Sequence, residues 1–386
     1  MWAVMRSMLR VGFLAAVMVP GTALAGIWQD LQTTGDADAR GLSGQAGYYR
    51  ALAADEDLLR QQLANSPLER TSSQGAVLEL PLPNGENQRF EVVLSPIMSP
   101  DLAARLPDIQ TYSVIGLDDP SLRGRLDMSS SGFHAVLSTP SGKVFIDPDA
   151  AGTYRSYYKA DYSSANWESA SGRTCHTNEH SGSPAVADFT PAYAQRVVTA
   201  STRRIYRLAL VTTGEYGSFF GSESEASNAV VTTINRVNEI YGRDLAVQLK
   251  LVEIIIYTDA GSDPFDNPSN LLEMLTINQN LLDHVVGLDN YDIGHLFGIS
   301  SGGVALLGSA CTTERAQGYT GHLSPDIGDP FDIDFVAHEI GHQLNATHTF
   351  NGTTSSCGGL NRTASTAVEP GSCLLYTSPS PRDRYI

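Results

Sequence analysis

The stretch His338-Glu339-Ile340-Gly341-His342-Gln343-Leu344-Asn345-Ala346-Thr347-His348 constrains this chain more than any other. Residues four apart on an α-helix share a face, so His338 and His342 can offer imidazole nitrogens to one ion. Glu339 then points toward the ion's open side rather than at the ion. The segment FDIDFVAHEIGHQL has the apolar content for such a helix, with Phe335, Val336, Ile340 and Leu344 on its buried side. If that helix ran on, His348 would lie about 15 Å from His338 along the axis, too far for both to reach one zinc ion. The helix must break between His342 and His348. A residue in left-handed conformation does this most cheaply; glycine is the usual choice, and Asn345 is the best tolerated substitute. The competing reading is a buried helix whose histidines are only structural.

Both ends of the sequence carry their own signals. Residues 1–25 place Arg6 and Arg10 before the apolar run Val11 to Val19 and the triplet Ala23-Leu24-Ala25, the pattern of a secretory signal peptide. The apolar run is about half of what a membrane-spanning helix requires. The expected location is therefore outside the cytoplasm, extracellular or periplasmic, with no membrane association after signal removal. At the other end CLLYTSPSPRD resembles a translated sequencing adapter. Residues 373–386 are accordingly expected to be non-native, with the natural sequence continuing beyond Ser372. The net charge of −17 has no compensating basic block, which argues against nucleic acid or an anionic membrane as partner.

Between these ends the pattern changes twice. Residues 26–162 read as a β-rich domain. AVLELPLPNGENQRFEVVLSPI alternates about Asn84-Gly85, and GFHAVLSTPSGKVFID repeats the device about Pro140-Ser141-Gly142. Ahead of them GYYRALAADEDLLRQQLA carries short helical patterns. Residues 163–204 lose periodicity and read as an exposed connector with a processing site. From residue 205 to 372 the order is strand (RIYRLALVTT), helix (SESEASNAVVTTINRVNEIYGRD), strand (VQLKLVEIIIYT), helix (LLEMLTINQNLLDHVVG), then the strand candidates YDIGHLFGI and GGVALLG. This predicts an α/β layering, one sheet covered by helices. The first helix buries Ala229 or Val230, Ile234, Val237 and Tyr241, capped by Ser222 or Ser224.

HEIGHQLNATH followed by Thr349-Phe350-Asn351 resembles the zinc signature of the metzincin metallopeptidases, and most closely the bacterial reprolysin-like (adamalysin-like) enzymes. The order of elements from about Arg204, the GISSGGVALLGSAC before the motif and the TAVEPGS after it fit the same likeness, as does a preceding propeptide domain with LPLPNG and GFHA. The resemblance implies a metzincin-like α/β catalytic domain with His338, His342 and His348 as zinc ligands. It also implies Glu339 as general base, and a protein or peptide substrate cut by a zinc-activated water. It implies too that the edge strand from Gly302 to Leu307 pairs with an extended substrate. The family's glycine is Asn345 here. The methionine of its Met-turn has no counterpart, the last methionine being Met274. The alternative within enzymes, a downstream glutamate as third ligand, would use Glu369. The alternative outside enzymes is a secreted zinc-binding or adhesive protein with a non-catalytic metal site.

Smaller signals remain. Cys175 lies in the connector, where a thiol can occupy an open zinc position and keep a precursor latent; a disulfide partner or an idle thiol is the other reading. Cys311 and Cys357 can bridge each other or partners elsewhere. DAGSDPFDNPSN and DIGDPFDID are acidic enough to suggest Ca2+, but neither has EF-hand spacing, and solvated acidic loops are the simpler reading. The sequons at Asn345, Asn351 and Asn361 are discounted. His284, His295 and His322 are isolated and expected to be structural or exposed.

Overall fold

The computed structural model describes residues 26–31, 48–69, 74–150, 152–161, 175–178, 202–265, 267, 270–300, 302–325, 328 and 331–346. Residues 1–25, expected as a leader, most of the expected connector, His348, Cys357, Glu369 and residues 373–386 lie outside the described residues.

Alternation and tight turns build an N-terminal unit. Its strands are β1 (Trp28–Asp30), β2 (Arg50–Ala54), β3 (Ala76–Pro81), β4 (Asn87–Leu94), β5 (Gln110–Gly116), β6 (Arg123–Ser129), β7 (Gly132–Thr139), β8 (Gly142–Ala150) and β9 (Thr153–Tyr158). They form one antiparallel sheet in the order β1-β2-β9-β8-β7-β6-β5-β4-β3. The expected hairpin at Asn84-Gly85 joins β3 to β4, with Gly85 at φ 92° and the Glu86 amide donating to the Asn84 side chain. Helix α1 (Glu56–Ala64), capped by Asp55, sends Leu59 and Leu63 into a core with Leu78, Phe90, Leu126 and Phe133. Residues 50–54, read from sequence as part of a helical pattern, are instead strand β2. Pairing with β1 and β9, and the Arg50–Asp30 ion pair at 2.6 Å, outweigh a local helical preference.

The second unit is a six-stranded mixed sheet. Its strands are β10 (Cys175–Asn178), β11 (Arg204–Thr212), β12 (Val247–Ile256), β13 (Ile293–Gly298), β14 (Gly302–Leu306) and β15 (Gly318–Gly321), in the order β10-β14-β15-β13-β11-β12. β11 runs parallel to β12 and β13, while β14 is antiparallel to β15. The helices are α2 (Pro100–Arg105, from the N-terminal unit), α3 (Gly214–Phe220), α4 (Glu223–Asp244) and α5 (Leu271–Val285). Alternation along β11 assigns the faces. Leu208 and Leu210 join the core under α4, whereas Ala209 and Val211 join the core under α5. Ser222 caps α4 by accepting from the Glu225 amide, and Val230, Ile234, Val237 and Tyr241 are all fully buried, as their spacing predicts. Each such side chain contributes roughly 1.5–3 kcal/mol through burial. Strand β15, GYTG, has no periodicity to announce it and was not expected. Among the described residues no helix is long and apolar enough to cross a membrane.

Candidate metal centre beside a sheet edge

Residues 331–346 lie on the α4 face of the sheet. Asp332–Ala337 forms a π-helical turn, and α6 (His338–Gln343) follows it directly. The expected α-helix thus begins one turn later than its apolar pattern suggests. Three anchors hold it. Val336 and Ile340 sit in the core with α4. The Tyr241 hydroxyl donates to the Ala337 carbonyl at 2.6 Å. Gln343, the residue after His342, donates to the Gly294 carbonyl at 2.9 Å and accepts from His295 Nδ1 at 2.7 Å. His295 is completed by the Thr320 hydroxyl at 2.8 Å, and its burial pushes its pKa down to about 4. It is a neutral strut for α6, not a candidate ligand.

His338 and His342 are both buried, and their Nε2 atoms face each other at 2.9 Å. The Nδ1–H of His342 donates to the Ala346 carbonyl at 2.7 Å, which makes Nε2 the unprotonated nitrogen of the neutral ring. Burial holds the His342 pKa below its ordinary value, so the ring is neutral and able to ligate at neutral pH. Two nitrogens about 2.1 Å from a tetrahedral zinc ion would stand roughly 3.4 Å apart, so the pair fits such an ion after a small outward shift. Asn345 takes φ 73°, the left-handed conformation that stopping the helix demands. Its amide donates to the His342 carbonyl at 2.8 Å and that of Ala346 to Gly341 at 2.9 Å, closing the end of α6. The helix thus breaks between His342 and His348, as the sequence predicts. His348 itself lies beyond the described residues, and among these no cluster of three potential metal ligands forms.

Glu339 is buried against β14. A Cβ on Gly303 would come within 2.0 Å of the Glu339 carboxylate, so the strand can pass this close only because residue 303 has no side chain. Gly303 belongs to the glycine-rich stretch noticed in the sequence, but nothing there linked it to Glu339. The connector strand β10 lies along the outer edge of β14, parallel to it, with residue 175 in register with Gly303 and residue 176 with Val304. Gln343, His295 and Thr320 were not foreseen as parts of the site. The only local hint was a glutamine among the apolar positions of α6.

The acidic loops have other employment. Asp263 accepts from the Gly214 and Phe265 amides, while Asp332 and Asp334 pair with Arg236 and Lys159. Asp266, Asp326 and Asp329 of the same loops lie outside the described residues. His284 is exposed near the end of α5, and His322 is buried with its ring against Ser324. Cys311 is exposed and has no disulfide partner among the described residues.

Residues 202–380 match the family model described as metallo-peptidase family M12B, reprolysin-like. No curated protein matches the chain. A solved chain described as "Structure of a chaperone-substrate complex" is similar at 19% identity over 41% of this chain and 28% of that one, with a TM-score of 0.29. A score that low carries no argument about fold or activity.

Proposed function

From the match of residues 202–380 to the reprolysin-like metallopeptidase family, we propose that the chain is the precursor of a secreted zinc-dependent endopeptidase. His338, His342 and His348 would hold the ion and Glu339 would act as general base. The observation that carries this reading is that two buried imidazole nitrogens face each other at 2.9 Å on the same short helix whose Glu339 is buried against β14.

Zinc, when bound, supplies an acidified water and positive charge for the oxygen that develops during attack on a carbonyl. The rest is done by the chain. The Ala346 carbonyl fixes the tautomer and tilt of His342. Glu339, one residue from the first ligand and pressed on β14, would take a proton from the attacking water and return it to the leaving amine. The outer edge of β14 offers main-chain groups to an extended peptide of the substrate. In the precursor that edge is taken by the connector strand, in register at residue 175. This supports latency through Cys175, whose thiolate chemistry suits an open zinc position.

The test is cleavage of casein by the chain after cutting in the connector. Activity should vanish with a chelator, return with zinc, and fall by at least about a hundredfold in Glu339→Ala. Unchanged cleavage in Glu339→Ala would remove the assigned base.

A further inference from the structure

A sheet in the middle of a chain has two open edges, and in this molecule segments preceding the catalytic domain cover both edges of the six-stranded sheet. At the β14 edge lies β10. At the other edge the N-terminal unit adds residues 97–99 to β12. The Ser99 amide donates to the Leu251 carbonyl and the Leu251 amide to the Ile97 carbonyl, both at 2.7 Å, with Met98 opposite Leu251 in parallel. Ile97 and Met98 are buried, and the following helix α2 sends Leu102 into the same core.

This contact is of a different kind from the connector's. One apolar core joins Val136, Phe145 and Tyr157 of the N-terminal unit to Val230, Ile234 and Val237 of the second. Above it runs a buried polar layer. Arg125 donates to Asn235 at 2.6 Å, Thr232 donates to Asp127 at 2.7 Å, and Arg236 is held between Asp147 and Asp332. Lys159 reaches Asp334 at 2.7 Å. Asp147 and Lys159 come from the N-terminal unit, whereas Asp332 and Asp334 sit in the π-helical turn that leads into His338.

We propose that the outer edge of β12, α4 and the turn at 332–334 form a lasting docking surface for the N-terminal unit. A cut in the connector then yields a two-piece complex, not a free catalytic domain, and the retained piece fixes the turn ahead of His338 through Asp332 and Asp334. None of these contacts involves residues 163–204, so processing there leaves them whole. A surface with main-chain pairing, an apolar centre and buried charge pairs resembles a permanent interface more than a transient one. Charge complementarity selects the occupant. Arg236 needs a carboxylate on the N-terminal side and Asp334 needs a cation, and Asp147 and Lys159 supply them. This rests on the peptidase reading only for its consequence, that the processed enzyme keeps the N-terminal unit bound.

The experiment uses the full chain with a specific protease site inserted between residues 181 and 190. After cutting, the two pieces should co-elute in gel filtration at micromolar concentration, in low salt and in about 0.5 M salt alike. Amide exchange over 331–337 should not change on cutting. In the uncut Asp147→Asn chain it should rise about tenfold, while exchange over 271–285 stays as in the wild type. Separation of the wild-type pieces on cutting overturns the docking surface. Exchange over 331–337 that is unchanged in Asp147→Asn, or that rises equally over 271–285, overturns the coupling. If Asp147→Asn does not fold, Lys159→Met is read in the same way. Neither readout depends on proteolysis, so an inactive chain that passes both would refute the peptidase reading alone.

Discussion

Glycine serves opposite purposes in the two sheets. In the N-terminal sheet Gly85 takes φ 92° in a hairpin turn with nothing within 4 Å of where its Cβ would be. In the six-stranded sheet Gly303 sits within a strand, and the missing Cβ is the space that the Glu339 carboxylate fills. The first glycine shapes the backbone locally, and the second lets a distant helix come against a sheet edge. A sheet that only covers a core can be specified by turns, whereas one that carries a site must leave room along its strands.

Substitutions can break this contrast. Gly303→Ala is expected to give the largest effect. Displacing Glu339 by about an ångström should lower kcat/KM by roughly a hundredfold or more, with the circular dichroism spectrum retained. Normal activity in that variant would remove the packing of β14 on Glu339 from the account.

The next effect is one of pH. His295 has a folded pKa of about 4 because of burial, below its ordinary value, so the unfolded chain takes up a proton first as pH falls. Its contribution to stability is complete above about pH 6.5 and is lost as pH falls toward 4, at most roughly 3 kcal/mol. Denaturant midpoints followed from pH 7 to pH 4 should show this fall, and it should be smaller in His295→Gln.

At the turns the expected effects are smaller. Gly85→Ala should cost about 1 kcal/mol from its positive φ, with no change in catalysis. Asn345→Gly should be neutral or stabilising by under about 1 kcal/mol, and Asn345→Ala destabilising by a similar amount, measured by thermal melting. A large loss in Asn345→Gly would mean that the amide side chain, not the backbone, is what matters there.

Much of this was legible in the sequence because it is local. The hairpin at Asn84-Gly85, the stripe of Val230, Ile234, Val237 and Tyr241, and the need to stop α6 at Asn345 all follow from spacing within a few residues. What was not legible depends on distant partners. Residues 50–54 become a strand because β1 and β9 flank them. The polar side of α4 is buried because the N-terminal unit lies on it, so Asn235 and Arg236 meet Arg125 and Asp147 from far along the chain. The π-helical turn carries Asp332 and Asp334, whose partners Arg236 and Lys159 belong to other elements. At the candidate site, the shared helix of His338, Glu339 and His342 was legible from the motif, but Gln343, His295 and the narrow pass at Gly303 were not.

The central claim is that His338 and His342 ligate a metal ion while Glu339 stands beside it without ligating. Zinc content, measured by elemental mass spectrometry on the purified wild type, Glu339→Ala and His342→Ala, tests this most directly. The account predicts about one ion per chain in the wild type and in Glu339→Ala, and almost none in His342→Ala. Equal zinc in all three, or its loss in Glu339→Ala, would contradict it.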